Sequence, residues 1–240
     1  MKTILTMGIL SAILLVLFIT GCDSTINTNK YDEIIQLSYE VPYFETYYNG
    51  RLSENQMKVL NGAKEVLKHK ARYDTTMDFR PVTHLHGFGY TGDEVYPNGD
   101  IDPSIGVCTD VIVRALRYGG IADLQREIHE GIKSNPERYP LERWGRGNAN
   151  KYIDHRRVPN QHTWFKYNWI NLNYSDFQPG DVVIWDFDKD AAGDHIGIVS
   201  DKLIAGIRPL LIHNSPRIGY TSETDDLRID DMIGHFRIKE

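Results

Sequence analysis

Apolar and polar positions follow two rhythms along this chain, with the change at Pro179-Gly180. Before that point the spacing is helical. Met57, Leu60, Val66 and Leu67 fall on or near one face, and Ser53 followed by Gln56 three residues later forms a capping box, predicting a helix from Ser53 to about Arg72. Val111, Ile112, Ala115 and Leu116 share a face of a second helix that starts at Cys108 and stops at Gly119-Gly120. A third is predicted over Leu124 to Ile132. Residues 73–105 carry several Pro and Gly and read as loop, and residues 133–162 read as a long surface excursion. After Pro179-Gly180 the period becomes two. Residues 181–185, 195–199, 210–213 and 233–238 are the expected strands. Helices first and strands afterwards predict an α+β domain, not a doubly wound sheet.

The N-terminus has a different pattern. Lys2 precedes an apolar run from Ile9 to Ile19, broken only by Ser11 and Ala12 and too short to span a bilayer. Small residues then lead into Cys22, as at a bacterial lipobox. Residues 1–21 are therefore expected to be a lipoprotein signal peptide, 22–40 a lipidated tether and 41–240 a single domain. This predicts an extracytoplasmic protein of the bacterial cell envelope, held to a membrane by lipid on Cys22. A formal charge of −6 without a lysine-rich block argues against nucleic acid as a partner. Apolar content of 41% supplies a sizeable core.

Only two cysteines are present, and with Cys22 lipidated Cys108 is expected to remain a thiol. At a helix start, the backbone N–H groups and the helix dipole favour thiolate, which makes Cys108 a candidate nucleophile. Asp110 in the same turn would oppose that charge if its carboxylate faced the sulfur. The alternative is a small buried hydrophobe. A nucleophile needs a base and an orienter. His195 opens one predicted strand and His213-Asn214 closes the next, so pairing of the two strands would bring His195 to His213 or Asn214. Asp154, His155, Arg156 and Arg157 either clamp a substrate carboxylate or form an ion-pair cluster holding the excursion down. No metal is expected: His84 and His86 lack a third ligand nearby, and the Asp186, Asp188, Asp190, Asp194 loop lacks the closing Glu of a calcium loop. That acidic loop is expected to raise the pKa of His195. No cofactor is required.

Cys108 before a helix, then His-Ile-Gly-Ile-Val (195–199), then Ile-His (212–213), resembles the order in NlpC-type papain-like cell-wall peptidases. The resemblance implies nucleophile, base and orienter roles for Cys108, His195 and His213, and a place for Tyr96 near the oxyanion site. Here the cysteine stands in Val-Cys-Thr-Asp, where that family has Asp-Cys-Ser-Gly. Tyr-Pro-Asn-Gly-Asp (96–100), Gly-Val-Cys-Thr-Asp-Val (106–111), Ile-Asp-His-Arg-Arg-Val-Pro-Asn (153–160), Gly-Asp-Val-Val-Ile-Trp (180–185), Ile-His-Asn (212–214) and Gly-His-Phe-Arg (234–237) together resemble the domain-of-unknown-function 1287 family. The implied fold is papain-like, with a helical N-terminal part carrying the Cys and a C-terminal antiparallel sheet carrying the His residues. The implied activity is a cysteine hydrolase (amidase or peptidase) acting on a peptidoglycan stem peptide or another cell-wall amide. Alternatives are a non-catalytic cell-wall-binding lipoprotein and an acyltransferase or thioesterase on the same fold.

Overall fold

Two helices in backbone contact form the base of the domain. In the computed structural model, residues 45–75, 96–145 and 147–240 are described; the signal-peptide, lipidation and tether assignments and His84 and His86 fall outside them. Helix α1 (Glu54–His69) starts where Ser53 Oγ accepts from the Gln56 N–H and Gln56 Oε1 accepts from the Ser53 N–H. It ends at Lys70, which turns into the left-handed region at φ 46°, short of the expected Arg72. Strand β2 (Arg72–Tyr73) instead pairs in parallel with β3 (Ile105–Gly106). Helix α2 (Cys108–Tyr118) crosses α1 so closely that a Cβ on Gly62 would collide with the Ala115 carbonyl, and one on Gly119 with the Lys58 carbonyl. Only glycine permits that approach. Helix α3 (Leu124–Ser134) follows, capped by Asp123.

The sheet is antiparallel and seven-stranded. Its strands are β1 (Glu45–Tyr47), β4 (Ile170–Asn171), β5 (Val182–Trp185), β6 (His195–Ile204), β7 (Arg208–Asn214), β8 (Thr221–Thr224) and β9 (Met232–Arg237), in the order β4-β9-β5-β6-β7-β8. Strand β6 runs past the expected residue 199 because β1 pairs with its far end, Lys202 to Ile204. Side chains alternate between the two faces. Val182, Ile184, Ile196, Ile198, Ile212 and Phe236 join the core shared with α1, α2 and Cys108. Val183, Trp185, Val199, Leu211 and Met232 form a second core on the other face. Among the described residues no helix is long and apolar enough to cross a membrane.

The expected surface excursion over 133–162 is corrected by the structure. It contains short turns at Pro136–Arg138, Leu141–Trp144 and Asp154–Arg156 and runs into helix α4 (Val158–Asn168). Asp154, His155 and Arg156 are buried. Their polar character pointed outward, but inside the fold Arg156 pairs with Asp110, Asp154 accepts from the Asn150 N–H, and the His155 imidazole is neutral. Pro159 sits in the first turn of α4, where its missing N–H costs nothing. Phe165 of α4 stacks on Phe236 of β9 at 5.8 Å, fastening this region to the sheet.

The α1–α2 contact is directly testable. Gly62→Ala is expected to destabilise the protein by about 2–4 kcal/mol, because backbone overlap outweighs the gain of about 1 kcal/mol in helix propensity. Gly147→Ala, with open space around its Cβ, is expected to leave the calorimetric melting temperature unchanged.

Candidate active site

The start of α2 is assembled by polar side chains from distant parts of the chain. Arg156 Nε and Nη2 donate to Asp110 Oδ1 and Oδ2 at 2.7 and 2.9 Å, and the Val107 N–H donates to Asp110 Oδ2 at 2.7 Å. The two charged side chains are only 1% and 3% exposed. Burial alone would push the Asp110 carboxyl up, but Arg156, with Arg114 behind it, holds it below the usual carboxylate range. Both carboxylate oxygens are thus taken by hydrogen bonds that neutralise the charge beside Cys108. Thr109 Oγ1 donates to the Arg156 carbonyl, and Gln161 Nε2 donates to the carbonyls of Thr109 and His155. Arg114 binds Asp100 and the Ile105 carbonyl. Cys108 is left at the first helical position, 7% exposed.

The four-residue charged motif therefore works within the fold. Arg156 binds Asp110, the Asp154 carboxylate accepts from the Asn150 N–H, and the Arg157 guanidinium lies 3.8 Å from the centre of the Trp144 ring. His155 is buried, and burial foremost, with Arg156 beside it, lowers its pKa to about 3.

On the sheet, β6 and β7 pair with Ile198 opposite Ile212, which sets His213 beside Gly197. A Cβ on Gly197 would lie 3.3 Å from that of His213, so the glycine makes room for the imidazole. His195 Nε2 and His213 Nδ1 are 2.7 Å apart, and His213 Nε2 is 2.6 Å from Thr224 Oγ1. Thr224 Oγ1 donates to Asp226 Oδ2 at 3.1 Å, and Asp226 pairs with Arg217. This chain settles the tautomers. The Thr224 proton goes to Asp226, so the Thr224 oxygen accepts from His213 Nε2–H. His213 Nδ1 then accepts from His195 Nε2–H, and the basic lone pair of His195 is on Nδ1. Sequence reasoning missed Thr224 and Asp226; the polar run Thr221-Ser222-Glu223-Thr224-Asp225-Asp226 is their only local signal.

Both imidazoles are neutral. Burial, then His213, lowers the pKa of His195 to about 3; burial lowers that of His213 to about 4 against the pull of Asp226. The expected rise at His195 from the acidic loop is thus overturned. The Asp186 and Asp194 carboxylates accept from backbone N–H groups of their own loop, and burial dominates. Ligand oxygens of Asp186, Asp188 and Asp194 lie within 4.8 Å of one another, the one such grouping among the described residues. Trp185 and Phe187 flank His195, with ring centres at 5.7 and 6.0 Å. Together with His213, Asp226, Arg217 and Arg228 they line a pocket of about 150 Å³.

The structure brings His195 to His213 and places the other predicted residues elsewhere. Asn214 alternates onto the helix face, where its Nδ2 donates to the carbonyls of Ala71 and Gly106. Cys108 shares the core of that face with Ile196 and Ile198 and does not line the imidazole pocket. The Asn214–Gly106 bond nevertheless sets the start of α2 at the sheet end where β6 begins and β7 finishes. Tyr96 packs on His129 and donates to Glu130 Oε1 at 3.1 Å, on the α3 side.

These features define an α+β domain with a mostly antiparallel sheet, a helix-start cysteine and a wired imidazole pair at one sheet end. A family profile described as "Domain of unknown function (DUF1287)" matches residues 89–238, and the chain belongs to that family. The uncharacterized protein YijF of Escherichia coli (strain K12) is 42% identical over 147 residues, covering 59% of this chain and 68% of that protein. No solved structure matches.

The depressed histidine pKa values make stability pH-dependent. Above pH 6.5 both imidazoles are neutral, folded or unfolded, and nothing is lost. As pH falls from 6.5 toward the folded values of about 3 and 4, only the unfolded chain takes up the protons, so stability falls. Each imidazole is expected to cost about 2 kcal/mol by pH 5. Urea midpoints at pH 7 and 5 carry this cost together with that of the other imidazoles of lowered pKa, His155 and His162. The test is therefore the comparison with His213→Asn, which should flatten the slope; an unchanged slope would refute the assignment.

Proposed function

We propose that this protein is a cell-envelope lipoprotein whose papain-like domain is a cysteine hydrolase, an amidase or peptidase acting on peptidoglycan peptides. The observation that carries this reading is the 2.7 Å His195–His213 contact, whose wiring leaves Nδ1 of His195 as the base nitrogen at the sheet end where α2 begins. In the proposed reaction, His195 Nδ1 takes the Cys108 thiol proton as the sulfur attacks an amide carbonyl. The Cys108 N–H supports the oxyanion. The C–N bond breaks, His195 protonates the departing amine, and water hydrolyses the thioester, regenerating the thiol. His213 holds the ring of His195 throughout. Cys108 and the two imidazoles lie on opposite faces of the sheet in the free protein, so the reaction requires the start of α2 to be carried round the end of β6 when substrate binds. The same placement favours a second reading, a lipoprotein that binds cell-wall peptides without covalent chemistry.

The two readings separate by experiment. Full-length protein in detergent, incubated with labelled peptidoglycan, is expected to release new muropeptides that Cys108→Ala does not, and their masses identify the bond cut. Absence of products from both, with a native thiol inert to iodoacetamide, would leave only the binding reading. For the anchor, cells fed labelled palmitate are expected to label the wild-type chain and not Cys22→Ser; equal labelling would refute lipidation at Cys22.

A further inference from the structure

The imidazole pocket has a composition that its proposed catalytic role does not explain. One wall is aromatic, with Trp185 buried and Phe187 exposed at 44%. At the rim stand two arginines. Arg217 is paired with Asp226, whereas the Arg228 guanidinium has no ion-pair partner among the described residues. Its carbon lies 5.8 Å from the centre of the Phe187 ring. Its backbone is fixed there, because Trp185 Nε1 donates to the Arg228 carbonyl at 2.6 Å. With both imidazoles neutral, two guanidiniums against one carboxylate give the pocket a positive balance in a chain of net charge −6.

We propose that this pocket recognises peptides through a free C-terminal carboxylate, bound by Arg228 above Phe187. The proposal deepens the hydrolase reading and rests on it only in taking this pocket as the substrate site. Size is compatible with a terminal residue: a volume of about 150 Å³ accommodates one small amino-acid residue. Charge supports the carboxylate: a planar guanidinium matches it bidentately, and a neutral amide at the same place offers it one weaker acceptor. The aromatic wall would cover the aliphatic part of that residue. Uncross-linked peptide ends, and not amide-closed cross-bridges, are the substrate class this selects.

The test is calorimetric binding of N-acetyl-alanyl-alanine and of its C-terminal carboxamide to full-length protein in detergent. The acid is expected to bind about tenfold tighter than the amide, and Arg228→Gln to abolish that difference. The substitution keeps the main-chain carbonyl that Trp185 uses, so an unchanged melting temperature confirms an intact fold. Equal binding of acid and amide by wild type, or an undiminished ratio in Arg228→Gln, overturns the proposal. If peptidoglycan is not cut but the acid preference depends on Arg228, the carboxylate site stands and the hydrolase reading falls. Cleavage that proceeds equally well on amidated and free-acid peptides overturns the carboxylate site and leaves the hydrolase intact.

Discussion

A carboxylate and a guanidinium facing each other out of water hold the start of α2 in place. Asp110 and Arg156 are almost completely buried, and removing either would strand the other charge at a cost of about 3–5 kcal/mol. The pair joins the first turn of a helix to a turn 46 residues further along the chain. Asp110 also holds the Val107 N–H, so one carboxylate caps the helix and ties down the turn at Asp154–Arg156. Thr109 and Gln161 reinforce the same junction with bonds to backbone carbonyls. The backbone geometry around Cys108 is therefore set from outside its own helix.

The same logic recurs where the sheet is pinned. Asp181, fully buried, accepts from His235 Nε2 and from Arg237 Nε and Nη2, all at 2.8 Å, and so ties β9 to the start of β5. Lys64 of α1 reaches Glu223 of β8, fastening that helix to an edge strand of the sheet. At the imidazole pocket the solution differs. His195 and His213 are kept neutral by burial against the pull of Asp226, whose Oδ2 lies 3.6 Å from His213 Nε2 and also accepts from the Thr224 hydroxyl.

Much of this architecture was legible in the chain. The capping box at Ser53, the apolar face of α2, and strands β5, β6, β7 and β9 all rest on interactions within a few residues, which local pattern records. So does the encounter of His195 with His213, because two adjacent strands joined by a short turn pair with each other. Helix α4 was missed because Val158-Pro159-Asn160-Gln161-His162 has neither helical amphipathicity nor a usual cap; its burial comes from contacts with Phe236 and the first turn of α2. The Asp154–Arg157 motif was visible, but its part in the core was not, since its partner Asp110 lies far away in sequence.

Local pattern by itself determined the class of fold, the helix that begins at Cys108 and the residues able to do acid–base chemistry. Hydrophobic period, caps and side-chain type are written residue by residue. Which face of the sheet the helices cover was decided only by the tertiary structure. Strand β5 is apolar on both sides, with Val182 and Ile184 facing one core and Val183 and Trp185 the other, so its pattern has no preferred side. That choice put Cys108 and Asn214 on the helix face and the two imidazoles on the opposite one. It depends on long-range packing of α1 and α2, whose free energy is distributed over the whole interface and belongs to no single stretch of sequence.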